Sequence, residues 1–272
     1  MVTIGGKSYK ILQLDTNALS NILKEKDSKL KNLFDRFPPD KNLISYSPFT
    51  ILEISRNEYL LDRFCKMFSI IPSFFLKGYE QLRDEELQNY QDSKHLEILL
   101  LSPFDVKRPK GQLPNERDVR KLLTHKKLTT TFDKWENDKQ RILDGMLSLK
   151  DNFKPKTDKY SKKEIQYFVT TSTFQQVLMY NKNFVLKNNL TDKNISLNNL
   201  QSFKIMSYSV FYKFYSDNRN PQLSDVFDIL IGATIPYVDI LITEKHYFDT
   251  IQKIKKQDKF LDNLKVYKVN EL

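Results

Sequence analysis

Hydrophobic and polar positions change period several times along the chain, and each change predicts an element. In the stretch "YKILQLDTNALSNIL", residues 10–14 form a short apolar run that reads as a strand. Leu19, Ile22 and Leu23 then share one side of a helix that begins at Asn17. After Pro38-Pro39, residues 42–46 predict a second strand. Ser47-Pro48 supplies a serine cap and a first-turn proline for a helix in which Phe49, Ile51, Leu52 and Ile54 surround Glu53. From residue 59 to 215 the pattern is helical, with long helices predicted over 74–101, 115–149, 161–186 and 197–215, divided by Pro103, Pro109, Pro114 and Pro155. Strand-and-helix alternation returns near the end: a helix over 224–234, a strand over 239–243, a helix over 245–256 and a strand over 264–269. The expected fold is therefore α/β, with residues 1–60 and 221–272 as two halves of one sheet domain and 61–220 as a large helical insertion.

Two places in this pattern carry unusual charge. Asp15 stands where the first strand stops and its helix starts. Such an aspartate caps a helix, and it also occupies the strand end where open α/β sheets bind ligands. In "SDVFDILIGATIPYVDILITEKHYF", residues 226–235 are apolar nearly all round, and Asp228 is the one charge among them. Burying a carboxylate is costly unless it is paired or binds a cation. Asp225 lies on the same helical face, and the two carboxylates require a shared counter-charge, which a divalent metal would provide.

The order of these features resembles the PIN-domain family of metal-dependent nucleases: strand-Asp-Thr-Asn, a helix-borne Glu, "SDxxD" opening an apolar helix, then "PYVDILITEK". The resemblance covers about residues 10–60 and 221–270. It implies a PIN-like central parallel sheet flanked by helices, and one or two Mg²⁺ or Mn²⁺ ions held by acids from both chain ends. Position by position it implies Asp15, Glu53 and Asp228 as the main acids, with Asp225 as a companion. Thr243-Glu244-Lys245 stands where the family has "Thr-Asp" or "Thr-x-Asp", so Glu244 would serve as the last acid and Lys245 takes an acidic place. Asp239, at the start of its strand, reads as structural. Magnesium favours hard oxygen ligands, and His95, His125 and His246 show no ligand spacing.

Charge extends this reading. A formal charge of +10 favours a polyanionic partner. Residues 104–127 carry net +5 and residues 149–163 net +4, nearly the whole excess. Lys107, Arg108, Lys110, Lys126, Lys127, Lys154, Lys156, Lys159, Lys162 and Lys163 are the predicted nucleic-acid contacts, with Phe153 and Tyr160 as an aromatic platform for unpaired bases. The expected function is metal-dependent endonucleolytic hydrolysis of RNA, the choice of RNA resting on the family. The alternatives are a DNA-directed nuclease and a non-catalytic nucleic-acid- or protein-binding module on a decayed PIN fold. A phosphatase of the haloacid dehalogenase type wants a second aspartate where Asn17 stands. Cys65 is the sole cysteine and allows no internal disulfide. With no signal core in the first residues and no apolar run of membrane-spanning length, the expected location is cytoplasmic, with no membrane partner and a protein regulator possible.

Overall fold

The computed structural model describes residues 1–4, 6–25, 28–71, 73–91, 115–156 and 158–272. The first half contains β1 (Val2–Ile4), β2 (Lys7–Leu14), α1 (Thr16–Lys24), α2 (Ser28–Arg36), β3 (Asn42–Tyr46), α3 (Pro48–Ser55), α4 (Glu58–Ile70), β4 (Ser73–Phe75) and α5 (Tyr79–Gln88). Then come α6 (Glu116–Leu123), α7 (Lys126–Asn152), α8 (Lys162–Tyr180), α9 (Lys182–Lys187) and α10 (Gln201–Val210), which runs into a π-helical turn, Phe211–Ser216. The chain closes with α11 (Leu223–Gly232), β5 (Ile240–Thr243), α12 (Lys245–Gln257) and β6 (Lys265–Lys268).

β2 to β6 form a parallel sheet in the order β4-β3-β2-β5-β6, and β1 pairs antiparallel with the outer part of β2. Leu12 of β2 is paired with Ile44 on one side and Ile240 on the other. The chain thus builds outward from β2 through β3 to β4, then returns to lay β5 against the free side of β2. That reversal makes the carboxyl ends of β2 and β5 a topological switch point, where open parallel sheets leave a crevice. Ile11, Leu12, Gln13 and Leu14 are all buried because helices cover both faces of the inner strands.

Local sequence explains most element ends. Ser47 caps α3, its hydroxyl accepting from the Phe49 N–H, and Pro48 occupies the first helical position. The helical middle is more divided than periodicity predicts. Phe74 and Phe75, expected to open a helix over 74–101, instead belong to β4 beside β3, since Ser-Phe-Phe suits a pleated strand. The rest of that expected helix from residue 92 lies outside the described residues. The helix expected over 115–149 breaks at Thr124–His125, and the one over 161–186 breaks at Asn181, whose side chain caps α9 by accepting from the Phe184 N–H.

One hydrophobic cluster runs from Leu12, Leu14 and Ile242 of the sheet to Phe203 and Tyr208 of α10 and to Phe132 and Trp135 of α7. Segment 61–220 therefore shares its core with the chain ends and contributes β4 to their sheet. Glu86 of α5 joins the parts: fully buried, it accepts from the Ser202 N–H in the first turn of α10 at 2.5 Å and from the Tyr237 hydroxyl. Burial pushes its carboxyl up to about 7 against these hydrogen bonds.

Candidate functional site

Asp15 follows β2 at the switch point. Its backbone is extended, and one carboxylate oxygen caps α1 by accepting from the Ala18 N–H at 2.7 Å. The other accepts from the Thr243 hydroxyl at the end of β5, so the two central strands meet on this side chain. Asp15 is 8 % exposed, and burial raises its carboxyl to about 7 despite the Thr243 and Ala18 hydrogen bonds, with the nearby Glu244 charge adding to the rise. Asp15 thus caps α1 while standing at the carboxyl end of β2.

α11 stands beside β2 because Gln13 accepts from the Thr234 hydroxyl at 2.9 Å, just past the end of α11. Phe227 of α11 packs on Phe49 of α3 with ring centroids 5.1 Å apart, and Phe49 packs on Trp135 of α7 at 4.5 Å. This aromatic cluster sets Glu53 of α3 within electrostatic reach of Asp228 of α11. Glu53 accepts from the Thr16 hydroxyl at 2.6 Å. Burial raises its pKa and Asp228 adds to the rise, opposed by Thr16, Lys139 and Arg56. Lys139 lies over the Phe227 ring at 3.7 Å and Arg56 over the same ring at 5.4 Å, so two cations flank that side.

A narrow cleft of about 20 Å³ is lined by Asp15, Thr16, Asn17, Lys213, Asp228, Ile231, Glu244, His246 and Tyr247. Asp15, Asp228 and Glu244 thus reach one cleft from distant parts of the chain, while Glu53 stands behind Thr16. Tyr247 is fully enclosed by protein, which raises its phenol well above the usual range. Its hydroxyl has no hydrogen-bond partner among the described residues. A Cβ on Gly232 would come within 2.5 Å of the Tyr247 oxygen, so only glycine leaves room for that hydroxyl.

Asp225 does not line the cleft. It closes the first turn of α11 by accepting from the Gln222 N–H at 2.9 Å and pairs with Arg219. The counter-charge shared by Asp225 and Asp228, expected from the sequence to be a metal, is the Lys213 ammonium, 3.2 Å from the first and 2.6 Å from the second. Burial works against the Asp225 charge, but Gln222, Lys213 and Arg219 hold its carboxyl below the ordinary range. Lys213 escaped sequence reasoning because it lies in "YSVFYKFYS", where helical periodicity marks a lysine as solvated. A lone lysine within a run of aromatic residues was the available signal.

The donor chemistry can be tested against a metal. Asp15, Asp228 and Glu244 offer hard oxygens, and the elevated Asp15 and Glu53 carboxyls mark negative charge that lacks full compensation. Among the described residues no three His, Cys, Asp or Glu side chains lie close enough to enclose a metal ion. Magnesium is commonly held by one or two carboxylates, its own waters and substrate phosphate. An open ion of that kind would need only one or two of the cleft's carboxylates, and the described residues form no closed cage.

Asp239 behaves as expected for a structural acid. At the opposite end of β5 it accepts from the Ile11 N–H at 2.8 Å and pairs with the Met1 amino group. Lys154, Lys159, Lys162, Lys163 and Lys126 are exposed, whereas Lys156 pairs with Glu164 at 2.6 Å. Lys107, Arg108 and Lys110 lie outside the described residues, as does the side chain of Lys127. Phe153 and Tyr160 are not a free stacking platform. Phe153 packs edge-on against Phe168 at 5.4 Å and Tyr160 against Phe211 at 5.0 Å, because burial on the core outweighs exposure of their rings. No helix among the described residues is long and apolar enough to cross a membrane. Comparison with family models, curated proteins and solved structures returns no match to this chain.

Proposed function

We propose that this chain is a PIN-like, metal-dependent endoribonuclease acting in the cytoplasm, with its active site in the cleft at the carboxyl ends of β2 and β5. The observation that carries the reading is the approach of Asp15, Asp228 and Glu244 to one cleft at the sheet's switch point. Asp15 and Asp228, with Glu53 and Glu244 near them, would hold Mg²⁺ or Mn²⁺. When bound, such an ion supplies a water of lowered pKa and charge neutralisation at a phosphodiester. The chain's own contribution is positioning. Thr243 and the Ala18 N–H fix the Asp15 carboxylate, Thr16 fixes Glu53, and Lys213 fixes Asp228. Asn17, exposed at the cleft mouth, offers an amide to the substrate. Exposed lysines of 154–163 would attract the RNA backbone from outside the cleft.

A non-catalytic nucleic-acid-binding module is the second reading, favoured by one observation: Lys213 already neutralises the two α11 acids. Incubation of the purified chain with single-stranded RNA separates the two. Cleavage with Mg²⁺ or Mn²⁺ that stops with EDTA and with Asp228→Asn supports the nuclease. Binding without cleavage under every metal tried supports the module.

A further inference from the structure

We propose that Lys213 is a phosphate-binding residue of the cleft, its third N–H donating to the substrate where a second metal ion would otherwise act. The ligand it takes is a non-bridging oxygen of the substrate phosphodiester. This rests on the nuclease reading above and specifies how that site recognises substrate.

The placement of Lys213 is unusual. α10 is regular to Val210, and the next turn widens into a π-helix over Phe211–Ser216. Such turns are uncommon and concentrate at functional sites. Here Phe211, Tyr212, Phe214 and Tyr215 are buried in the core, and Lys213, the one charged residue of the turn, reaches the cleft.

Its donors are not exhausted by the two aspartates. An ammonium has three N–H donors. Asp225 at 3.2 Å and Asp228 at 2.6 Å take two, leaving a third on a residue that lines the cleft. Asp225 also keeps Arg219 and the Gln222 N–H, so it does not need Lys213 exclusively. Lys213 is only 4 % exposed, which places its charge where solvent screens it weakly.

Ligands in the cleft are limited as well. Two catalytic metals stand roughly 3.5–4 Å apart, each with its own ligands. Lys213 already pairs with Asp228, which leaves Asp15 and Glu244 as the cleft's other carboxylates, enough for one ion with its waters rather than two. One divalent ion and one fixed ammonium donor therefore make up the groups that would meet the phosphate. Fixed donors of this kind act on charge that develops in the transition state, and losing one costs about 100-fold or more in rate.

The test combines Mn²⁺ titration of the full chain without nucleic acid, followed by calorimetry and electron paramagnetic resonance, with cleavage kinetics of Lys213→Gln and Lys213→Arg. Expected are one Mn²⁺ per wild-type chain and equal or tighter Mn²⁺ binding by Lys213→Gln, since Asp228 is released. The kcat of Lys213→Gln should fall about 100-fold, with partial recovery in Lys213→Arg. Two Mn²⁺ per wild-type chain overturn the inference, as does wild-type kcat in Lys213→Gln. Two Mn²⁺ per chain overturn it even where Lys213→Gln does not fold, and Lys213→Arg, which keeps the charge, then carries the kinetic arm. A wild-type chain that never cleaves RNA refutes the nuclease reading itself, an outcome separate from either result on Lys213.

Discussion

Replacing Asp15 with asparagine should remove activity and yet stabilise the metal-free protein. The carboxyl is driven from 3.8 to about 7, chiefly by burial. The folded chain therefore binds more protons than the unfolded chain across that window, and stability declines as pH rises through it. At about 1.4 kcal/mol per pH unit, the ionised side chain costs the native state about 4 kcal/mol at pH 8. Asparagine carries no charge and can still accept from the Ala18 N–H, while the Thr243 hydroxyl must turn from donor to acceptor, a loss of about 1 kcal/mol. The net gain is about 3 kcal/mol at pH 8, or roughly 5–10 °C in Tm for a chain of this size. Near pH 5.5 the wild-type cost has shrunk to roughly 2 kcal/mol, so the advantage of the variant falls to about 1 kcal/mol. Thermal melts in EDTA across this range measure both numbers. A variant no more stable than wild type at pH 8, or an advantage that stays constant with pH, would refute the argument that Asp15 is an uncompensated buried charge.

Glu86→Gln should behave similarly but away from the cleft: with the carboxyl raised from 4.5 to about 7, the wild type should lose roughly 3 kcal/mol more than the variant between pH 4 and 8 in denaturant unfolding, the variant keeping only the decline that Asp15 causes. Gly232→Ala should cost about 1–3 kcal/mol by driving a methyl into the Tyr247 hydroxyl, and Tyr247→Phe in the same chain should restore most of it in urea unfolding. Lys154→Glu and Lys159→Glu should weaken RNA binding at low salt, and each phosphate that goes unneutralised should flatten the log-log salt slope by about 0.7. An unchanged slope in fluorescence titrations would make them a solvated surface.

What could be read from the sequence was what depends on near neighbours. The strand over 42–46, the Ser47-Pro48 cap and the βα junction at Asp15 follow from apolar runs and capping chemistry, and the structure has each of them. Short aromatic segments were less legible: Phe74 and Phe75 fit a buried helix as well as a strand, and only their pairing with Ser45 and Tyr46 of β3 decides. In the site, the approach of Asp15 and Asp228 was legible because each charge interrupts an apolar stretch beside a strand end or in a buried helix. Their balancing charge was not. Lys213 and Arg219 come near Asp225 through the π turn and the loop that follows it, and neither leaves a periodic trace. Phe153 and Tyr160 show the reverse error: lysine neighbours suggested exposure, while their rings lie on the core.

Whether the cleft binds a divalent cation at its acids decides between a nuclease and a binding module. Crystals soaked in Mn²⁺ and measured at the manganese absorption edge test this directly. One anomalous peak within coordinating distance of the Asp15 and Asp228 carboxylates, absent from Asp228→Asn crystals, is the predicted result. A cleft without a peak at saturating Mn²⁺, with Lys213 still seated on Asp228, would contradict the metal-dependent nuclease and leave a binding module in its place.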